Sequence, residues 1–196
     1  MPFVPEIRLH KAGPASGLNQ LAAADEDFGS PYWAHYWGGG LALARYLIDR
    51  PELVAGRALL DLGTGSGIVA IAACLAGAAH VTAADVDPYA TIATRLNAAA
   101  NGVTVDTLLG DPTLQPPTSI DVLAIGDLFY EADTAARVLD LARRHAATGS
   151  LVLIGDPMRA HLPLAALEEI GRYEFSELTG APGANARTAC VYRLAP

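Results

Sequence analysis

The sequence predicts an α/β fold: a mixed sheet, parallel over most of its width, with helices on both faces. Three observations point to it. Short apolar runs alternate with helical segments, the pattern of successive βαβ units. The runs at 58–62, 120–125 and 150–154 are almost continuously apolar, as strands covered on both faces are. A glycine-rich turn, Gly63-Thr-Gly-Ser-Gly67, joins the first of these runs to an apolar helix. In such sheets a ligand sits beyond the carboxyl ends of the strands, so the residues just after each strand are the candidates for chemistry.

Residues 1–56 hold both tryptophans and three of the seven tyrosines. This aromatic-rich segment ends in a helix over 41–48, where apolar residues at 41, 44 and 48 and at 43 and 47 form a stripe, and Pro51 stops it. It is expected to pack on a core formed by residues 57–196, the two making one domain. The first strand, 58–62, leads through the glycine turn into a helix from Ile68. A second strand covers 81–84. Asp87-Pro88 then starts a helix, with Asp as N-cap and Pro in the first turn. Its expected buried face is Ile92, Leu96 and Ala99, and Gly102 ends it. Strands follow at 103–109 and 120–125, then a helix over 131–147 with a stripe at 135, 138, 139 and 142, then a strand at 150–154. A short helix is expected at 163–170. Two closing strands, 173–178 and 188–194, are joined by a Gly/Pro-rich loop at 180–185 with no helix between them. That pair is expected to be antiparallel, which makes the sheet mixed at its far edge.

Composition excludes several classes. The chain has 196 residues, 52% hydrophobic and 17% charged, enough for one domain with a core and not the composition of a disordered chain. A net charge of −8 without a basic run argues against a general nucleic-acid binder. Cys74 and Cys190 lie far apart in apolar stretches and read as buried small hydrophobes in a reducing, cytoplasmic setting. Residues 1–17 carry no signal or transit pattern, and the longest apolar stretch, 68–79, is too short to cross a bilayer. Among the histidines only His35, set among aromatic residues, is a candidate substrate contact. No His-His-carboxylate spacing suggests a metal, and no nucleophile elbow suggests a Ser-His-Asp hydrolase.

The glycine turn has an acidic partner. Asp85 closes the second strand about 20 residues on, where its carboxylate can accept two hydrogen bonds from a ribose diol. Two ligands fit. Gly65-x-Gly67-x-x-Ala70 matches a dinucleotide fingerprint; S-adenosylmethionine has the same nucleoside and no phosphate. Asp61, two positions before the first glycine, would face a pyrophosphate unfavourably, yet it could organise a loop that meets the amino group of a methionine tail. Asp111 follows the third strand, where it can meet an adenine amino group.

Asp61-Leu-Gly-Thr-Gly-Ser-Gly67 with Asp85-Val-Asp-Pro88 resembles the first two motifs of class I methyltransferases, over about residues 57–196. The resemblance implies a Rossmann-like class I methyltransferase fold, a mixed seven-stranded sheet with an antiparallel final strand, and S-adenosylmethionine as cofactor. Candidate cofactor contacts are then Asp61, Gly63, Thr64, Gly65, Gly67, Asp85, Val86, Asp111 and Asp127. Asp127-x-x-Tyr130, at the end of the fourth strand, resembles the (D/E)-x-x-(Y/F) motif of seven-strand protein lysine methyltransferases. A carboxylate there suits a lysine amine. The plain alternative has Asp127 capping the helix that starts near 131 and Tyr130 in the core. The segment Ser30-Pro-Tyr-Trp-Ala-His-Tyr-Trp-Gly-Gly-Gly-Leu-Ala-Leu-Ala-Arg-Tyr-Leu47 is similar to that preceding the core in the electron transfer flavoprotein beta subunit lysine methyltransferases. Aromatic faces attract both a sulfonium and an ammonium. Trp37 and Gly39, just ahead of the helix, are expected to line the cofactor, and Trp33 and Tyr36 to shape the lysine channel; the alternative is that these aromatics only staple the helix to the sheet. The family pattern has proline in the triplet after Trp37, where this chain has Gly38-Gly-Gly40, a change expected to loosen the backbone.

Asp127 and Tyr130 are the catalytic candidates for in-line attack of a neutral amine on the cofactor's methyl group. A carboxylate beside an amine raises its pKa and opposes deprotonation, so Asp127 is assigned to orientation, and the route of the proton stays open. The acceptor is read as the electron transfer flavoprotein beta subunit. A ribosomal protein or small amine as acceptor, and a nucleotide-binding oxidoreductase or non-catalytic binding module, are the alternatives.

Overall fold

The computed structural model describes residues 3–13, 15–24, 28–175 and 188–195. The elements are α1 (Leu18–Ala24), α2 (Gly38–Asp49), β1 (Ala58–Leu62), α3 (Ile68–Leu75), β2 (His80–Asp85), α4 (Pro88–Ala100), β3 (Asp106–Leu109), β4 (Val122–Gly126), α5 (Ala132–Ala147), β5 (Leu151–Asp156), β6 (Leu167–Glu174) and β7 (Thr188–Leu194). They form a seven-stranded sheet in the order β3-β2-β1-β4-β5-β7-β6. Strands β1 to β5 are mutually parallel where they pair, and β7 is antiparallel to both β5 and β6. This is the mixed seven-stranded sheet that the resemblance implies, and its strand order reverses between β1 and β4, where ligands gather.

Alternation along β1 builds the two layers. Leu60 and Leu62 face Val138, Leu141 and Ala142 of α5, while Leu59 faces the side covered by α2 and α3. The N-terminal segment closes that second layer: Val4 and Ile7 are fully buried against it. Cys190 is buried and Cys74 half-buried.

Four elements differ from the sequence reading. Helix α2 begins at Gly38, so Gly39 lies in its first turn and not ahead of it. Three glycines there have low helix propensity, and what holds them is a carboxylate on their N–H groups, described below. On α4, Ile92 and Leu96 are 44% and 55% exposed and Ala99 is also exposed; the buried side is Ala90, Thr91, Thr94, Asn97 and Ala98. Two of those polar side chains are satisfied by the glycine turn, Asn97 Nδ2 donating to Ser66 O (2.8 Å) and Thr94 Oγ1 to Gly65 O (3.3 Å), while Thr91 Oγ1 donates within α4 to Pro88 O (2.8 Å). The third strand starts at Asp106, not at 103. The expected helix at 163–170 is a 3-10 turn, Leu164–Ala166, followed by β6, which pairs with β7 from Leu167 onward. Pairing overrides the local helix propensity of that stretch. The rest of the expected strand at 173–178 and the loop at 180–185 lie outside the described residues.

Candidate active site

Alternation along β1 places Asp61 on the α3 side, directly beneath the start of that helix. The first N–H groups of a helix have no partner within it. Asp61 Oδ2 accepts from one of them, Ala70 N (3.1 Å), and from Thr64 Oγ1 (2.6 Å). Asp61 is 1% exposed, and burial pushes its carboxyl up to about 7, against those two hydrogen bonds and with the charge of Asp85 adding to the rise. Gly67, at φ 81°, caps α3 in the left-handed region, and a Cβ on it would press on Thr94 at 2.9 Å. Asp61, Thr64 and Gly67 therefore shape the turn from below, while Gly63 and Gly65 face a cavity above it.

That cavity has a volume of about 690 Å3 and lies over the ends of β1, β2 and β4. Asp85 ends β2 on its wall, with Oδ2 accepting from Gly65 N (2.9 Å) and Oδ1 from Asp87 N (3.0 Å). Burial raises its carboxyl, and the two N–H groups oppose the rise. Val86 and Asp111 line the same wall, and Asp111 Oδ1 also accepts from Thr113 N (2.9 Å) and Thr113 Oγ1 (2.6 Å). The roof is aromatic. Phe28, Trp33 and Tyr89 form a cluster in which Trp33 stacks on Tyr89, centroids 6.0 Å apart. The Cα of Trp33 sits over Gly65, 3.9 Å from where its Cβ would be. The Trp33 Nε1–H is buried without a partner among the described residues. Trp37 also lines the cavity, its Nε1 donating to Tyr32 O (3.1 Å). Tyr36 packs against the core instead, and neither it nor His35 is on the cavity wall.

At the other end stands Asp127. It caps α2, not the helix that follows it: Oδ1 accepts from Gly39 N (3.1 Å) and Oδ2 from Gly40 N (2.6 Å). Its own N donates to Gly155 O (2.9 Å), and its φ of 61° is in the left-handed region that Asp tolerates better than most side chains. Gly39 is thus not a wall residue but a donor behind the carboxylate. The glycine triplet is not loose either. A Cβ on Gly39 would overlap the carbonyl of Gly155, and Gly40 Cα lies 3.1 Å from where a Cβ of Gly126 would be. Gly126 and Gly155 are paired across β4 and β5, so the start of α2 beds into a groove at their ends. Tyr130 is on the cavity wall and 59% exposed, which removes the core alternative.

Sequence reasoning missed Arg159. Its Nη1 contacts Asp127 Oδ1 (2.5 Å) and Asp156 Oδ2 (3.1 Å), and it lines the cavity. It also missed Arg137, Phe28 and Tyr89 on or beside the wall. No motif spacing links these positions; strand order, two helices and the N-terminal segment bring them together in the fold.

Comparison with known proteins supplies the lineage. The ribosomal protein L11 methyltransferase (PrmA) family matches residues 45–124. The electron transfer flavoprotein beta subunit lysine methyltransferase of Xenopus laevis is 39% identical over 100% of this chain and 82% of its own length. The chain belongs to the electron transfer flavoprotein beta subunit lysine methyltransferase family. The human member is 35% identical over 99% of this chain and 76% of its own. Among solved structures, a ribosomal protein L11 methylase from Lactobacillus delbrueckii subsp. bulgaricus superposes with a TM-score of 0.54 at 21% identity, over 79% of this chain and 77% of that one, which speaks to the fold. This member of the family is a methyltransferase, and its relatives are named for a protein acceptor. Among the described residues no helix is long and apolar enough to cross a membrane.

Proposed function

We propose that this methyltransferase carries a methyl group from S-adenosylmethionine to a lysine of the electron transfer flavoprotein beta subunit. The observation that supports this most is the continuity of one cavity from Asp85 and Asp111 to Asp127 and Tyr130, a nucleoside-like end joined to a cation-like end. Its volume is in the range of sites for molecules of this size. The donors fit the cofactor: Asp85 for a ribose diol, the unpaired Trp33 Nε1–H for an acceptor atom, and the faces of Trp33 and Trp37 for a sulfonium. Gly63, Gly65, Val86 and Asp111 complete its walls; Asp61, Thr64 and Gly67 hold the turn in shape. Trp33 then serves the cofactor rather than the lysine channel.

S-adenosylmethionine, when bound, supplies an electrophilic methyl group, which passes to the acceptor nitrogen as the C–S bonding pair returns to sulfur and a nitrogen-bound proton leaves to solvent. The chain's own part is position and exclusion of water. A carboxylate offers about four acceptor positions, and three on Asp127 are filled by Gly39, Gly40 and Arg159. The remaining one takes an N–H of the acceptor amine and aims its lone pair. Tyr130 packs beside the entering side chain. The same reading has the protein working as a cytoplasmic monomer without a membrane or nucleic-acid ligand, in keeping with its charge of −8.

The test is transfer of labelled methyl groups from S-adenosylmethionine to purified electron transfer flavoprotein, with Asp127→Ala and Asp127→Asn beside the wild type. Label on the beta subunit, lost in Asp127→Ala, is expected. Label only on another protein of a cell extract would discard this acceptor; no transfer to any protein would discard the lysine methyltransferase reading.

A further inference from the structure

We propose that Arg159 is a positioning residue that sets the charge felt by the acceptor amine, so that Asp127 holds the amine without keeping it protonated. The inference rests on the lysine methyltransferase reading and goes beyond it, because that reading leaves a conflict. A lone carboxylate beside an amine stabilises the ammonium, and an ammonium has no lone pair for attack.

The geometry answers the conflict. Arg159 follows β5 on a turn in which Met158 has a φ of 65°, and the turn brings the guanidinium back over the strand ends. Arg159 N donates to Asp156 Oδ1 (2.7 Å), which fixes the turn, and Nη1 bridges Asp156 and Asp127. Asp156 is fully buried; Arg159 and Asp127 are only partly covered and share the cavity wall. The guanidinium stays charged throughout the working pH range, so its effect on a neighbouring amine is constant. Two carboxylates with one guanidinium leave a net charge of about −1 spread over the cluster. Burial raises the carboxyl of Asp156 and Arg159 opposes that rise; without Arg159 the charge on Asp127 would face the entering amine uncompensated.

Besides the sulfonium of the bound cofactor, which is the same for every variant, the side chains around Asp127 offer little to replace Arg159. From α2 come only the N–H groups of Gly39 and Gly40. From α5 comes Arg137, exposed at the rim, and from the loop before it Tyr130. Asp85, Asp87 and Asp111 line the cavity from the β2 and β3 side and add negative charge. Behind Asp156, the Cys190 thiol and Tyr192 hydroxyl are pushed up by burial and remain neutral. Arg159 is the cation in contact with Asp127 among the described residues.

The experiment is the pH dependence of the single-turnover rate of methyl transfer to the acceptor protein, for the wild type, Arg159→Gln, Arg159→Lys and Asp156→Asn. The acid limb of this profile reports the amine in the assembled complex. Arg159→Gln is expected to move that limb to higher pH by about one unit, giving about a tenfold loss at neutral pH that disappears on the alkaline plateau. At neutral pH it should also half-saturate at a lower acceptor concentration, because it holds the ammonium form better. Arg159→Lys keeps the charge and should keep the wild-type limb. Asp156→Asn removes one negative charge and should move the limb the opposite way, which tests the inference even if Arg159→Gln fails to fold. Coincident limbs in all four proteins, or losses equal at every pH, would overturn the inference while leaving the methyltransferase reading intact. Absence of transfer by the wild type would remove both.

Discussion

Gly39 and Gly155 meet backbone to backbone, so that a Cβ on either would overlap the carbonyl oxygen of the other. The contact seats the first turn of α2 on the end of β5, and it is what brings the N–H groups of Gly39 and Gly40 onto Asp127. The role proposed for Asp127 is therefore linked to the packing of a helix that belongs to the N-terminal segment.

Gly39→Ala is expected to cost about 2 kcal/mol, from backbone overlap that no side-chain rotation relieves, and to lower methyl transfer as the Asp127 cap is pulled apart. Gly38→Ala is the contrast. Its Cβ would meet Ala189 and Pro157 at 3.8 and 3.9 Å, ordinary contacts, and alanine favours a helix. Urea unfolding of the two variants separates them; equal losses would mean that the tight seam is not what matters.

Asp61 should leave a signature in stability against pH. The folded chain keeps the Asp61 proton up to about 7, whereas the unfolded chain releases it near 3.8. Between those values the folded state binds more protons, so this group's stabilisation is full below the lower value and is lost as pH rises to the upper one. The loss is at most about 1.4 kcal/mol for each unit of separation. Unfolding free energies at pH 5 and pH 8 should therefore differ less in Asp61→Asn than in the wild type. A difference as large in the variant would place the titration elsewhere.

Trp33→Phe keeps an aromatic ring against Tyr89 and Phe28 and removes only the indole N–H. A buried donor without a partner costs about 1–3 kcal/mol. The variant should thus melt no lower than the wild type, yet bind S-adenosylmethionine about tenfold more weakly. Calorimetric titration reads the second effect, and unchanged affinity would show that the Trp33 Nε1–H does not meet the ligand.

The strand ends were legible in the sequence, and the contacts between them were not. Asp61, Asp85 and Asp127 could be placed because alternating strands and helices put every strand's end on one side of the sheet. The buried face of α4 could not, because Thr94 and Asn97 are inside through bonds to turn carbonyls and Thr91 through one to its own helix, while the more apolar Ile92 and Leu96 face out. Hydrophobic periodicity counts transfer energy and is blind to a polar face whose partners are elsewhere in the chain. The stretch around 163–170 misled for a related reason: its helix formers lose to hydrogen bonds with β7. Arg159 was invisible because its partner Asp127 is close only once β4 and β5 lie side by side.

Strand β6 precedes β7 in the chain but reaches the sheet only through it, since β7 lies between β5 and β6. During synthesis the ribosome thus presents a β6 whose neighbour has not yet been made. The parallel part of the sheet, with the glycine turn and Asp127, has all its strands available earlier. Asp156 is different, because it ends β5 opposite Cys190 of β7 and is sealed only when that strand arrives. The carboxylate that anchors Arg159 is then among the last parts of the cavity to leave water, so a chain stalled before β7 would expose this polar pair on an open sheet edge, a surface suited to capture by chaperones.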